Sequence, residues 1–192
     1  MDIAAKAVAE LDNIRLIFVG APSGKEEEIK KRFLQCGIKD KDLTVRGYSP
    51  SRERLKKTFC EVDLAMVPSR TEGFGLTGLE ALSSGLPILV SRNSGFGQTL
   101  RKVPFGTYFV IDSHDIQVWA KAIKNVRDKD RKTRLKEADT LRSLYKEEYK
   151  WQQQSEELIG KMVNMIHGMN FCFDAFLDKD YKIIIIFIGL FR

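Results

Sequence analysis

Cysteine is scarce in this chain, three residues in 192. Cys36, Cys60 and Cys172 are odd in number, lie far apart and lack metal-ligand spacing. That excludes a disulfide framework and a zinc module, and it fits a reducing, cytoplasmic setting. Met1 to Lys6 has no apolar core of the kind that opens a secretory signal. The run Ile183 to Ile188 falls well short of the ~20 apolar residues that span a bilayer, so no membrane span is expected. An unbroken stretch of one charge sign is missing too. The net charge is +6, yet Lys25 to Arg32 and Arg127 to Arg134 interleave acids with bases. That pattern marks solvated helix faces and argues against a nucleic-acid partner. The length bounds the chain to one domain with room for a tail.

What the sequence does contain is concentrated between Leu64 and Ser91. An apolar run, Leu64 to Val67, leads into a glycine loop, a short helical segment and a second apolar run, Pro87 to Val90. Strand, loop, helix and strand in that order make the βαβ unit of a parallel sheet. The loop Glu72-Gly73-Phe74-Gly75 hands the chain to a helix near Leu76 or Thr77. Free amides at such a helix start stabilise an anion, and glycines allow the sharp turn and a close ligand. Leu76, Leu79, Leu82 and Leu86 are spaced to face a core, with Thr77, Glu80 and Ser84 on the opposite face. Two carboxylates, Glu72 on the loop and Glu80 on the helix, suit paired hydroxyls, because each accepts two hydrogen bonds. An isolated pair of this kind is more often simply solvated.

Around this unit the chain alternates helix and strand. A helix over Ala4 to Leu11 precedes a buried strand over Ile14 to Val19. Gly20 to Lys25 imitates a phosphate-binding P-loop, but the glycine spacing is one residue short and Glu26 stands where Ser or Thr belongs. Ser23 and Glu26 are instead expected to form a capping box for a helix that stops at Gly37. Leu43 to Gly47 is a short strand whose end, Gly47-Tyr48, reaches the same rim. Leu55 and Phe59 mark an amphipathic helix. The loop Ser91 to Gly97 again falls at a strand end, where open α/β sheets bind ligands. Thr107 to Ile111 is expected as a strand, with Asp112 or Ser113 capping the next helix. The contiguous Ser113-His114-Asp115 cannot supply triad geometry. From Arg127 to His167 the chain is helical and charged, with Leu135, Leu141, Leu144, Tyr145, Trp151, Leu158 and Met162 as anchors, and His167 is expected at the surface.

Pro68-Ser69, Glu72-Gly73-Phe74-Gly75, Glu80-Ala81, Gly85 and Pro87 together resemble the signature of the retaining GT-B glycosyltransferases of family 4, also called group 1. The resemblance implies a Rossmann-like α/β domain, a parallel sheet flanked by helices, forming the C-terminal half of a GT-B fold. It further implies that Glu72 holds hydroxyls of the donor sugar, as the catalytic-site carboxylate, and that Glu80 holds the nucleotide ribose. The backbone of Gly73, Phe74, Gly75, Leu76 and Thr77 would meet the diphosphate, and Gly47 and Tyr48 would lie beside the base. The donor would be a nucleotide-diphosphate sugar, with no metal and no further cofactor. Family members usually carry an acid just after the second glycine loop, where this chain has Gln98.

The resemblance also sets expectations about extent. Relatives open with a strand followed by an Arg and a Lys that clamp the diphosphate, and no residues here correspond to them. The domain is therefore expected over 1–168, shortened at its amino end and without its acceptor half, with 169–192 foreign to it. Two functions follow. The first is the donor-binding half of a retaining hexosyltransferase. The second is a non-catalytic nucleotide-sugar-binding or interaction module of a larger protein. For that reading the stretches Glu72 to Glu80 and Asn93 to Gly97 look most like group 1 modules of animal NOD-like-receptor-type proteins.

Overall fold

A computed structural model describes residues 2–49, 51–70 and 72–167. Residues 1–149 form one compact unit, whose order is α1 (Asp2–Ala9), β1 (Leu16–Ala21), α2 (Glu26–Gln35), β2 (Leu43–Gly47), α3 (Arg52–Glu61), β3 (Ala65–Val67), α4 (Leu76–Ser83), β4 (Ile88–Ser91), α5 (Gly95–Leu100), β5 (Val110–Ile111), α6 (Ile116–Arg127) and α7 (Arg131–Glu148). A second unit begins at Lys150 and contains the helix α8 (Trp151–His167), whose Leu158 and Met162 are exposed. The compact unit thus closes at Tyr149, ahead of the expected boundary at 168, and 169–192 lie outside the described residues, as does the His167 side chain.

All pairing among the named strands is parallel, in two groups: β1 with β2, and β3–β4–β5 in that spatial order. Strand β4 explains why the sheet is stable. Ile88 and Val90 enter the core beneath α4, α5 and α7, while Leu89 enters the core beneath α1 and α6. Successive side chains of a strand point to opposite faces, so a run of apolar residues buries itself only when both faces are covered. Here they are: every residue of β4 is buried. Trp119 on α6 is 1% exposed, and its indole N–H donates to the Ser113 carbonyl at 2.9 Å. A third core, built from Ile29, Phe33, Ile38 and Leu43, joins α2 to the first sheet.

Several local expectations need correction. Strand β1 is not buried: Val19 is 37% exposed, because the strand is paired along one edge only. The Ser23/Glu26 capping box does not form. Helix α2 starts after Lys25 with no side-chain cap, and Lys25 pairs with Glu28 at 2.9 Å instead. Gly106–Phe109 is a 3-10 turn, leaving only Val110–Ile111 extended. The cap of α6 is Asp115, whose carboxylate accepts from the Gln117 amide at 2.9 Å. Of the expected anchors in the last helices, Leu141 and Tyr145 are buried but Leu135 is 42% exposed.

Close packing over β4 depends on glycine. A Cβ on Gly78 would stand 2.7 Å from the Phe96 ring and 3.3 Å from Val90. Gly78→Ala is expected to cost about 1–3 kcal/mol by overpacking, read as a lowered urea midpoint with unchanged slope. Ser94, 1% exposed, caps α5 by accepting from the Gly97 amide at 3.0 Å and donates to the Ser91 carbonyl at 2.9 Å. Ser94→Ala is expected to lose about 1–2 kcal/mol in the same measurement. Burial pushes the Tyr145 phenol above its ordinary value. The folded state then holds that proton more tightly than the unfolded chain, so stability is unaffected below about pH 10 and falls above it. Tyr145→Phe is expected to flatten that alkaline decline in denaturant titrations against pH.

Candidate functional site

The carboxyl ends of β3 and β4 carry two loops with the same triplet, Gly73-Phe74-Gly75 and Gly95-Phe96-Gly97. Their backbones are joined. The Gly95 amide donates to the Gly73 carbonyl at 2.7 Å, and the Phe96 amide donates to the Phe74 carbonyl at 2.6 Å. A bridge between Glu72 and Ser94 continues the β3–β4 pairing upward into the loops. The Phe74 and Phe96 rings meet at 5.9 Å. A Cβ on Gly95 would lie 2.6 Å from the Gly73 carbonyl oxygen, so any larger residue would push the loops apart. The repeated triplet was the one sequence signal for this clasp.

Gly75 turns the chain into α4 with φ 90° and ψ 56°, a left-handed conformation that glycine adopts without a Cβ clash. It has no side chain to cap the helix, and none of its neighbours does so. The first amides of α4 are therefore left uncapped by any side chain, which is the physical requirement for holding an anion. Glu72 folds back over this turn. Its carboxylate oxygens would come within 3.4–3.6 Å of a Cβ at Gly75. Oε2 is buried and has no hydrogen-bond partner. An ionised carboxylate oxygen accepts only, and a buried one without a donor costs roughly 1–3 kcal/mol or more. The site thus contains an acceptor lacking its donor, beside a row of donors lacking their acceptor.

The structure brings Glu72, Gly73, Phe74, Gly75, Leu76 and Thr77 together on one rim. Glu72, Ser69 and Thr77 line the same groove. Leu76 departs from the expected core stripe. It is 46% exposed, because the first turn of α4 projects beyond the core that receives Leu82 and Leu86. Glu80 is exposed on the second turn of α4, sharing a face with Thr77. Gly47 and Tyr48 end β2, in the other strand pair. The Tyr48 amide is bound to the Ala21 carbonyl at 2.8 Å while its side chain is 74% exposed. Among the described residues no hydrogen bond joins them to the Glu72 loop.

On the neighbouring strand ends, Arg92 pairs with Asp112, and the Asn93 amide meets the His114 ring at 3.2 Å. Ser113 accepts from the Asp115 amide at 3.0 Å, so Ser113, His114 and Asp115 serve turn and cap roles. Among the described residues no group of three or more His, Cys, Asp or Glu side chains is placed to hold a metal ion, and no helix is long and apolar enough to cross a membrane.

Comparison with known proteins agrees with this geometry. The chain is 32% identical over 134 residues to D-inositol 3-phosphate glycosyltransferase of Mycolicibacterium smegmatis, covering 67% of this chain and 30% of that protein. It is 34% identical over 127 residues to the same-named protein of Mycobacterium marinum, covering 64% and 26%. The chain thus spans less than a third of the length of these curated relatives. Among solved structures, sucrose-phosphate synthase from Thermosynechococcus elongatus superposes with a TM-score of 0.69 at 20% identity, over 88% of this chain and 42% of that one. An E. coli trehalose-6-phosphate structure bound with UDP-2-fluoro glucose superposes with a TM-score of 0.59 at 16% identity, over 75% and 36%. At these identities the structures establish the shared fold. Residues 1–158 match the family described as Family 4 Glycosyltransferase in conflict systems, and the chain belongs to that family.

Proposed function

We propose that this domain is the donor half of a retaining sugar transferase and that its rim at β3 and β4 holds a nucleotide-diphosphate sugar. The observation that carries the reading is the unpartnered, buried Glu72 Oε2 beside the uncapped start of α4. A sugar hydroxyl supplies the donor that Glu72 lacks. A diphosphate supplies the acceptor that the amides of Gly75, Leu76 and Thr77 lack. Glu80, exposed one turn along, is in place for the two ribose hydroxyls, and Tyr48 is free to meet a base across the rim. Phosphate charge and hydroxyl pairs occur together in one small molecule only in a nucleotide-sugar or its relatives, which is why both acids enter one site.

In this scheme Glu72 orients the donor so that its anomeric carbon faces the cleft where an acceptor half would stand. Transfer then proceeds with retained configuration, and no side chain described here acts as a nucleophile. The matched relatives extend far beyond the part shared with this chain, so the acceptor wall belongs to sequence outside it. The same short span favours a second reading, a nucleotide-sugar-binding module of a larger protein of NOD-like-receptor type, without turnover.

Calorimetry with UDP, GDP and the corresponding UDP- and GDP-hexoses separates the roles. Glu80→Gln is expected to weaken both free nucleotides and nucleotide-sugars by about ten-fold or more, the worth of a hydrogen bond to a charged group. Glu72→Gln is expected to leave UDP and GDP unchanged and to abolish the extra affinity the sugar confers. Unchanged affinity for every ligand in the Glu80→Gln variant would remove the ribose assignment. Hexose transfer by the isolated chain would remove the second reading.

A further inference from the structure

We infer that the molecule carries a seat for one more β-strand, between β1 and β3, filled by an extended apolar segment from outside residues 1–149. This does not rest on the sugar-nucleotide reading.

The two strand groups share a groove of about 940 Å³. Its walls include every residue from Asn13 to Val19 and from Glu61 to Ser69. Consecutive residues, rather than alternate ones, line it on both sides. Because side chains of a strand alternate between faces, a surface lined by consecutive residues runs along the strand edge, where the backbone N–H and C=O groups are. β1 pairs only with β2 and β3 only with β4 among the described residues, so each turns its unpaired edge to this groove. Helices cover the groove from both faces: Ala4 and Val8 of α1 with Ile123 and Val126 of α6, and Leu55 and Phe59 of α3. Those residues leave an apolar slot one strand thick.

The topology gives the same answer. The spatial sequence is β2, β1, an empty place, β3, β4, β5, all parallel within each group. A doubly wound sheet has the order 3-2-1-4-5-6. The five strands present fill every position of that order except the innermost, with β1 and β2 as its second and third strands and β3 to β5 as its fourth to sixth. Exposure records the vacancy: Ala65 and Met66 are half-buried and Val19 is 37% exposed, while every residue of β4 is buried.

Charge selects the occupant. The amino-terminal end of the slot is flanked by Arg15 and Arg127, and the carboxyl-terminal end by Glu72. A strand running parallel to its neighbours therefore needs an acidic residue before its apolar centre and a basic one after it, with β-branched residues between to fill both faces. The curated relatives keep most of their length outside the matched part, so such a segment has a source in the longer polypeptides of this family.

Hydrogen exchange on the full 192-residue chain tests the seat, with the synthetic peptide Asp-Val-Ile-Val-Ile-Val-Lys as the probe. Saturating peptide is expected to slow exchange of the edge amides in β1 and β3 by roughly ten-fold or more and to raise the thermal midpoint, with β4 amides unchanged. A control peptide with proline at both isoleucine positions cannot complete the ladder and is expected to have no effect. Equal protection by both peptides, or protection by neither, overturns the proposal. So does slow exchange at these edges without peptide at every protein concentration, since the edges are then already covered. Protection that grows with protein concentration in the absence of peptide assigns the seat to a second copy and overturns it as well. UDP binding measured in parallel distinguishes failure here from failure of the donor site.

Discussion

Two backbone hydrogen bonds, from the amides of Gly95 and Phe96 to the carbonyls of Gly73 and Phe74, hold the working rim of this domain together. They fix the loop after β3 to the loop after β4, and so fix where α4 begins and where Glu72 sits. Main-chain bonds of this kind demand close approach, and the close approach demands glycine at Gly95 on one loop, as its forbidden Cβ position shows. The aromatic pair Phe74 and Phe96 then fills the space behind the clasp, and the Phe96 ring meets Tyr145 of α7 at 5.6 Å. A polar ligand site is thereby carried directly on the largest apolar core.

The rim combines two incomplete groups of opposite character. Helix α4 begins at a residue with no side chain, so its first amides receive no cap. Glu72 is turned inward over the same residue with one oxygen buried and unpartnered. A protein that merely needed stability would have capped the helix with Ser, Thr, Asp or Asn, as it does for α5, α6 and α7. Three helices capped and one left open, at the strand ends where α/β sheets take ligands, is the pattern of a donor-binding site within a family 4 glycosyltransferase.

The sheet beneath that rim is stable on one side and open on the other. β4, covered on both faces and paired on both edges, anchors the domain, whereas β1 and β3 each present a free edge to an apolar slot. Free edges are a liability, since their backbone groups pair readily with any extended chain. Here the edges are recessed between α1, α3 and α6, which restricts access to a segment thin enough to enter as a strand.

Much of this was legible from residue order alone. The alternation of apolar runs with amphipathic segments determined the parallel α/β class, and the run from Pro68 to Pro87 marked the strand, loop and helix that carry the rim. Gly75 could be assigned its turn because left-handed backbone is a local property that a side chain forbids. Other features depended on partners far along the chain. Gly78 and Gly95 are required by Phe96 and by the Gly73 carbonyl, distances that no local pattern encodes. Leu76 fits the helical stripe yet stands exposed, because periodicity gives a direction and not the extent of the core it meets. The capping box at Ser23 failed and Asp115 took the cap of α6, since competing hydrogen-bond partners are chosen by chain geometry. Strand β1 read as buried because its residues are apolar. Only the tertiary structure decided that its second edge is open, because burial of a strand is set by what lies beside it and not by what it is made of.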